Sequence, residues 1–564
     1  MLHRVLPMQV PLAAFFLWRD HASNPLVAKW LPICALGAAV VAVLPALAML
    51  CIPSQQRQQL RRQRPDEVAP APVRAASSLH GSADWMPERG LQRLAQGGHP
   101  DHGGVVYGTA CRADLHPDQD GGAAPLLVDR CLEDATHGLI FAGSGGGKTS
   151  AFTVPTLDPD VGWRGNVLVN DPSSQVGAMC AGMRRAVGQR VVFLGPGKSG
   201  FNVLDWIDPA HPLAEEHVWS MIEAIGREGA DQDAKGENSM FKLQGKALQA
   251  CLLADMLWDP AAPKGAKTLR RLAERVATPE RDMRSRLQDI HKESASTLAR
   301  TLAGTLMEAH PRTFGSFCVD ASADLRWLMT GAYAAMVSGE GAGSIGTRDF
   351  THGDVCVFLQ LGQDAMKATP QLGRTVLNAL LNGVYRAEGR TGRRTLLLLD
   401  EIDLFGPMQT LALAASQGRK YGITVVGMWH SLGQMQATWK EQGAETWLNN
   451  SSWQAYAAVA GKTAEEVSRR CGKFTALAPS ETHSTGSQHG GHHGSHSKGR
   501  NTSTSLQPRP LITPDEVERG LRRDEQIVFR RGEPGPIRCV KAYYFLRPGM
   551  AARVGTDHYR EAAD

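Results

Sequence analysis

The run Gly143-Ser144-Gly145-Gly146-Gly147 is followed directly by Lys148, Thr149 and Ser150. Glycines let a backbone curl tightly and turn its N–H groups inward, which makes a cradle for phosphate oxygens. A lysine at the end of such a loop reaches the β- and γ-phosphates, and the hydroxyl after it suits Mg²⁺. Lys148 and Thr149 occupy those places, with Ala142 where the first glycine of a Walker A loop usually stands. A second pair, Asp400 and Glu401, ends the apolar run Leu396–Leu399. Open α/β sheets bind their ligands at the carboxyl ends of such strands. Asp400 is therefore expected to hold Mg²⁺, through water, and Glu401 to orient or deprotonate an attacking water. Asp403 reads as a helix cap. The chemistry implied is hydrolysis of ATP with Mg²⁺.

These residues need particular elements to hold them. Leu139 to Ala142 reads as a buried strand, and AFTVPTLD after the loop as a helix whose N-terminus faces the phosphates. DVCVFLQL reads as a further strand and QLGRTVLNALLNGVYR as a helix before the acid strand. This alternation predicts an α/β fold, a mostly parallel sheet with helices on both faces. From about His211 to Met329 the alternation stops. FKLQGKALQACLLADMLWD, TLRRLAERV, SRLQDIHK and STLARTLAGTL carry apolar residues at helical spacing. Composition alone makes this an ordinary helical insertion.

The chain has 564 residues, 42% hydrophobic and 21% charged, with a formal net charge of +5. That suffices for several cores and does not announce a polyanionic partner. Its ten cysteines form no C-x-x-C pair, which argues against a zinc site or a disulfide framework. Leu31–Ile52 is apolar and uncharged, long enough to cross a bilayer, and Arg57, Arg61, Arg62 and Arg64 follow it. The span is expected to be retained, with everything after Ile52 cytoplasmic. Val5–Trp18 reads as a second thin span, a truncated one or an interfacial segment. Pro65–Ser82 reads as a linker. Glu481–Leu506, rich in Ser, Gly, Thr and His, reads as a mobile loop, its histidines not a metal site. Beyond it Thr513 is expected to cap a helix with Glu516 three residues on.

Taken in order, these motifs resemble one family. The loop followed by VPTLD, then VLVNDPSSQ, FLGPGKSGFNVLDWI, LLLLDEIDLFG, QGRKYGITVVGMWHSLGQM, TAEEVSRRCGK and RPLITPDEVERGLRRDEQIVFRRGEPGPIRCVKAYYF are similar to the type IV secretion coupling proteins. These are the VirD4/TraG group of conjugative ATPases. Ser173 and Ser174 depart from the family's Lys-Gly after Asp171-Pro172. His430 stands where relatives carry a glutamine that senses the γ-phosphate.

The resemblance implies a RecA-like P-loop domain with an all-α inserted domain that meets cargo, and an N-terminal transmembrane segment. Residues 1–64 would be the anchor, with one or two helices, and 65–100 a linker. Residues 101–210 and 331–564 would form the nucleotide-binding domain, with a low-complexity loop at about 481–506, and 211–330 the all-α domain. It further implies an ATPase of the cell inner membrane, forming a homohexamer that moves relaxase-bound single-stranded DNA, or protein substrates, into a type IV secretion channel. Arg419, in QGRKYGI, would act on a neighbouring subunit's nucleotide, with Arg374 and Lys420 as alternatives. An FtsK-like double-stranded DNA pump is another reading, although no winged-helix reader follows the motor. A protein-only effector receptor is a third.

Overall fold

The computed structural model describes residues 72–132, 137–226, 237–388, 390–488 and 495–557. The expected span Leu31–Ile52, the stretch Val5–Trp18 and the basic run lie outside the described residues. Among the described residues no helix is long and apolar enough to cross a membrane. The chain divides into two units. The smaller comprises residues 1–68 with Arg522–Asp524, of which those last residues alone are described. The larger, Ala69–Leu521 with Glu525–Asp564, carries the fold below.

Several apolar runs become strands buried over their whole length. These are β3 (His137–Ala142), β4 (Asn166–Asn170), β6 (Val355–Leu359), β7 (Thr395–Leu399), β8 (Ile423–Trp429) and β9 (Ser451–Ala457). A strand covered by helices on both faces carries apolar side chains on both, so it reads as a run and not as an alternation. With β5 (Arg190–Leu194), β12 (Glu525–Arg530) and β13 (Ile537–Val540) they form a 9-stranded sheet in the order β13-β12-β9-β3-β8-β7-β4-β6-β5. From β9 to β5 every neighbouring pair is parallel. The β9–β12 and β12–β13 pairs are antiparallel. A separate antiparallel pair, β1 (Val105–Thr109) and β2 (Leu126–Asp129), precedes the sheet.

The helical stretch between β5 and β6 has stitched ends. Phe201 N–H donates to the Met336 carbonyl and Val203 N–H to that of Val337, at 2.6 and 3.1 Å. Between these points the chain is helical in its described parts, including Ala214–Ile225, Glu237–Trp258, Leu269–Val276, Glu280–Glu293, Thr297–Met307 and Pro311–Asp324. Thr268 and Ser296 cap two of them, each hydroxyl accepting from the N–H three residues on. Leu248, Leu252, Leu272, Leu287, Phe314 and Phe317 belong to one buried cluster, so the insertion has an apolar interior.

Two expectations are corrected. The stretch expected as a mobile loop is the outer part of a hairpin, β10 (Lys473–Gln488) with β11 (Ser495–Pro510), paired in register from Lys473↔Pro510 to Gln488↔Ser495. Polar and glycine-rich residues hid it, because neither strand has an apolar face to bury over that length. The linker is also tied down in its described part. Arg74 pairs with Ala476 and Ser82 with Phe474 at the hairpin's base, and a helix follows at Glu88–Leu94. The capping pair is present: Glu516 N–H donates to Thr513 Oγ1, and Thr513 N–H to Glu516 Oε2.

Candidate nucleotide-binding site

The sheet order decides which residues meet. The loop leaves β3, His430 leaves β8 and the acids leave β7, all at the carboxyl edge. Because β8 lies between β3 and β7, His430 stands between loop and acids. Gly143 to Ser150 line a cleft of about 360 Å³ together with Glu401, His430, Gln175, Met179, Tyr544 and Asp557. Its volume is that of a small-ligand site.

Within the loop Gly145 and Gly147 have φ of 72° and 88°, a left-handed conformation that glycine adopts without strain. A Cβ on Gly147 would also lie 3.0 Å from Tyr543 Oη. The expected helix starts as a wide π-type turn, Lys148–Thr153, and continues as the short α-helix Val154–Leu157. Pro155 cannot donate to the carbonyl of Ala151, so the α-ladder is interrupted there.

Lys148 Nζ lies 3.5 Å from Asp400 Oδ1 and 3.5 Å from His430 Nδ1. His430 Nε2 is 3.9 Å from Glu401 Oε1. His430 is held at its backbone, whose N–H donates to Gln434 Oε1 at 2.9 Å, while Ser431 caps the helix Leu432–Asn450. Asn170 Nδ2 donates to the Asp400 carbonyl at 2.6 Å. The Glu401 N–H donates to Asp400 Oδ1 at 3.0 Å. Glu401 itself has φ 53°, a left-handed backbone that costs a non-glycine residue about 1 kcal/mol or more. That kink turns successive carboxylates in different directions. Gln363 Nε2 donates to both Glu401 carboxylate oxygens, at 2.8 and 2.7 Å, which fixes the second.

Thr149 and Asp400 offer a hydroxyl and a carboxylate, hard oxygen donors that suit Mg²⁺ and not a soft metal. Asp403 is not a helix cap. It lies inside the turn Ile402–Phe405, where its Oδ1 accepts from Trp429 Nε1 at 2.8 Å, and burial raises its pKa. Asp171 serves structure. Its carboxylate accepts from the Val176 and Gly177 N–H groups and from Gln360 Nε2, within 3.1 Å.

Arg419 does not join the others. It sits in the turn Gly418–Tyr421, before the amino end of β8, and so at the opposite edge of the sheet. There it lines a second cleft of about 650 Å³ with Arg393, Arg394 and Lys420. Arg374 is buried in the helix Pro370–Arg386.

Gln363, Gln175, Lys541, Tyr544 and Asp557 were not singled out from sequence. For Gln363 a signal existed, since it follows the carboxyl end of β6. The tail residues carried none, because nothing local says that β13 ends beside the loop.

The sequence model of the type IV secretory system conjugative DNA transfer family matches residues 91–563. The conjugal transfer protein TraG of Agrobacterium fabrum (strain C58) is 34% identical over 509 residues, 87% of this chain and 74% of the relative. The type IV secretion system-coupling protein VirD4 of Bartonella henselae is 31% identical over 511 residues, 87% and 77% of the two chains. Among solved structures, the plasmid coupling protein TrwB in complex with the ATP analogue ADPNP superposes with a TM-score of 0.56 at 15% identity, covering 85% of this chain and 96% of that one. That likeness bears on the fold, which is RecA-like. The chain therefore belongs to the type IV secretory system conjugative DNA transfer family, and it is a coupling protein with a P-loop ATPase core.

Proposed function

We propose that the carboxyl-edge cleft binds ATP with Mg²⁺ and hydrolyses it to drive single-stranded DNA with its relaxase into a secretion channel. The observation that carries this reading is the meeting of Lys148, Asp400, His430 and Glu401 from three strands at one loop, with contacts of 3.5 to 3.9 Å. Loop N–H groups and Lys148 bind the phosphates, and Glu401, held by Gln363, accepts the proton of the attacking water. His430 Nδ1 and Nε2 face Lys148 and Glu401, so the ring is suited to register the γ-phosphate between them. Thr149 and Asp400 would hold Mg²⁺, which neutralises phosphate charge when bound. The solved TrwB complexes with ADPNP and with ADP and Mg²⁺ support this choice of ligands. The protein is further proposed to sit in the inner membrane through Leu31–Ile52 and to act as a hexamer.

The test pairs turnover with cargo. Lys148→Ala should abolish ATP turnover and DNA transfer from donor cells while the protein stays folded, because the lysine acts on phosphate charge. Wild-type turnover in that variant would remove the site assignment. Cross-linking during transfer should recover single-stranded DNA and relaxase; recovery of effector proteins alone would replace the DNA cargo by a protein one.

A further inference from the structure

The segment after β13 ends beside the phosphate loop, and the hydrolytic scheme above leaves its residues without a task. A loop that turns its N–H groups toward phosphates turns carbonyls the other way. Buried carbonyls need donors. For Gly146 the donor is Lys541, whose Nζ donates to that carbonyl at 2.9 Å; Lys541 is only 1% exposed. The next residues build a wall. Tyr543 covers Gly147, and Tyr544 lines the cleft, at 6% and 7% exposure.

This wall is anchored on both sides. Before it, Thr109 Oγ1 donates to the Val540 carbonyl at 2.8 Å, and Val540 N–H donates to the Cys111 carbonyl at 3.0 Å. After it, Arg553 pairs with Asp158 and Asp160, at 2.5 and 3.0 Å, on the chain just beyond the loop's helix. Gly555 N–H donates to the Met179 carbonyl at 2.8 Å. Gln175 Nε2 donates to Asp557 Oδ1 at 2.8 Å, and both residues line the cleft. The tail from Lys541 to Asp557 thus runs along the loop and closes one side of the cleft.

We infer that this C-terminal segment is part of the nucleotide site, with two separable roles. Lys541 is a positioning residue for the phosphate loop: its ammonium fixes the Gly146–Gly147 peptide and polarises it, so that the Gly147 N–H is a stronger donor to phosphate. Tyr544 is a specificity-determining wall for the planar base of the nucleotide. An aromatic ring beside a phosphate cradle is the group on which a nucleotide base stacks. The inference rests on the proposed ATP site.

The experiment measures binding to the full-length protein in detergent, by displacement of a fluorescent ATP analogue. ATP is compared with ribose 5-triphosphate, which has the same phosphates and no base. Lys541→Met should weaken both ligands alike, by about 10-fold, the scale of a lost charge-assisted hydrogen bond, and Lys541→Arg should recover most of the loss. Tyr544→Ala should weaken ATP by about 10-fold and leave ribose 5-triphosphate unchanged, while Tyr544→Phe keeps ATP binding, since stacking needs only the ring. Melting curves without ligand check that each variant folds. Equal loss of both ligands in Tyr544→Ala, or no loss, overturns its role. Wild-type affinity in Lys541→Met, or no recovery in Lys541→Arg, overturns the lysine's. Wild-type binding of both ligands in Lys148→Ala overturns the ATP site and the tail's roles with it, whereas weakened binding there with no effect of the tail substitutions overturns the tail's roles alone.

Discussion

Two adjacent carboxylates have different surroundings here, and we propose that the difference divides their work. Asp400 faces Lys148 at 3.5 Å and suits a metal beside the phosphates. Glu401 has a left-handed backbone, lines the cleft and is gripped by Gln363. Glu401→Gln should therefore bind ATP and hydrolyse it roughly 10²- to 10⁴-fold more slowly, the usual contribution of a general base. Gln363→Leu removes the grip and keeps the base, so kcat should fall less and KM should hold. Steady-state turnover with an equilibrium ATP titration checks both. Loss of ATP binding in Glu401→Gln would make that residue a metal ligand or a structural one. Lys148, Thr149, Asp400 and Glu401 could be proposed from sequence because a glycine loop closes the apolar run Leu139–Ala142 and an acidic pair closes Leu396–Leu399. Gln363 was less so, since an amide becomes a functional group only through the partner it meets. Asp403 was misread because its partner, Trp429, comes from another strand.

At the level of elements, the strands and the order of motifs were readable, whereas strand neighbours were not. That β8 separates β3 from β7 follows from long-range pairing, and this placement brings His430 to Lys148. The hairpin β10–β11 escaped because Ser, Thr, Gly and His carry no period-2 apolar signal; its base is buried at Phe474, Thr475 and Ala476. The β3–β8 seam holds a pH-sensitive contact. His137 Nδ1 accepts from the Val425 N–H at 3.0 Å, and burial pushes the imidazole pKa down to about 4. In the unfolded chain it returns to about 6.5. The unfolded state therefore binds more protons between these values. Stability from this group is full above pH 6.5 and is lost as pH falls toward 4. Between pH 6.5 and 5 the loss should be about 2 kcal/mol. Urea denaturation of the wild type and His137→Gln at both pH values isolates it, because other groups titrate alike in the two proteins. If the two lose stability equally on acidification, His137 is not the source.

On the scale of the whole molecule, the sheet separates two sets of cations. Lys148 stands at its carboxyl edge and Arg419 at its amino edge, with Ile423–Trp429 between Arg419 and His430. At roughly 3.4 Å per residue that strand is about 20 Å long, far beyond the reach of an arginine side chain. Arg419 therefore cannot touch phosphates bound in its own loop. We propose that it acts on a nucleotide bound by a neighbouring subunit, as arginine fingers do in related chemistry with effects of roughly 10³ to 10⁵ in rate. Arg393, Arg394 and Lys420 line the same cleft with Asp101, and Arg393 pairs with Asp354 at 3.0 Å. Burial lowers the Arg394 pKa and nearby Arg419 lowers it further, so positive charge is crowded there. A mixing experiment tests the assignment. Arg419→Ala subunits, expected to be inactive alone, are combined with Lys148→Ala subunits, also inactive. At some mixed interfaces an intact loop from the first faces an intact arginine from the second, so part of the hydrolysis should return in proportion to those interfaces. A cis-acting arginine gives no recovery, because no single subunit then holds both groups. Mixed oligomers that form, as seen by cross-linking differently tagged subunits, and remain inactive would rule out action in trans.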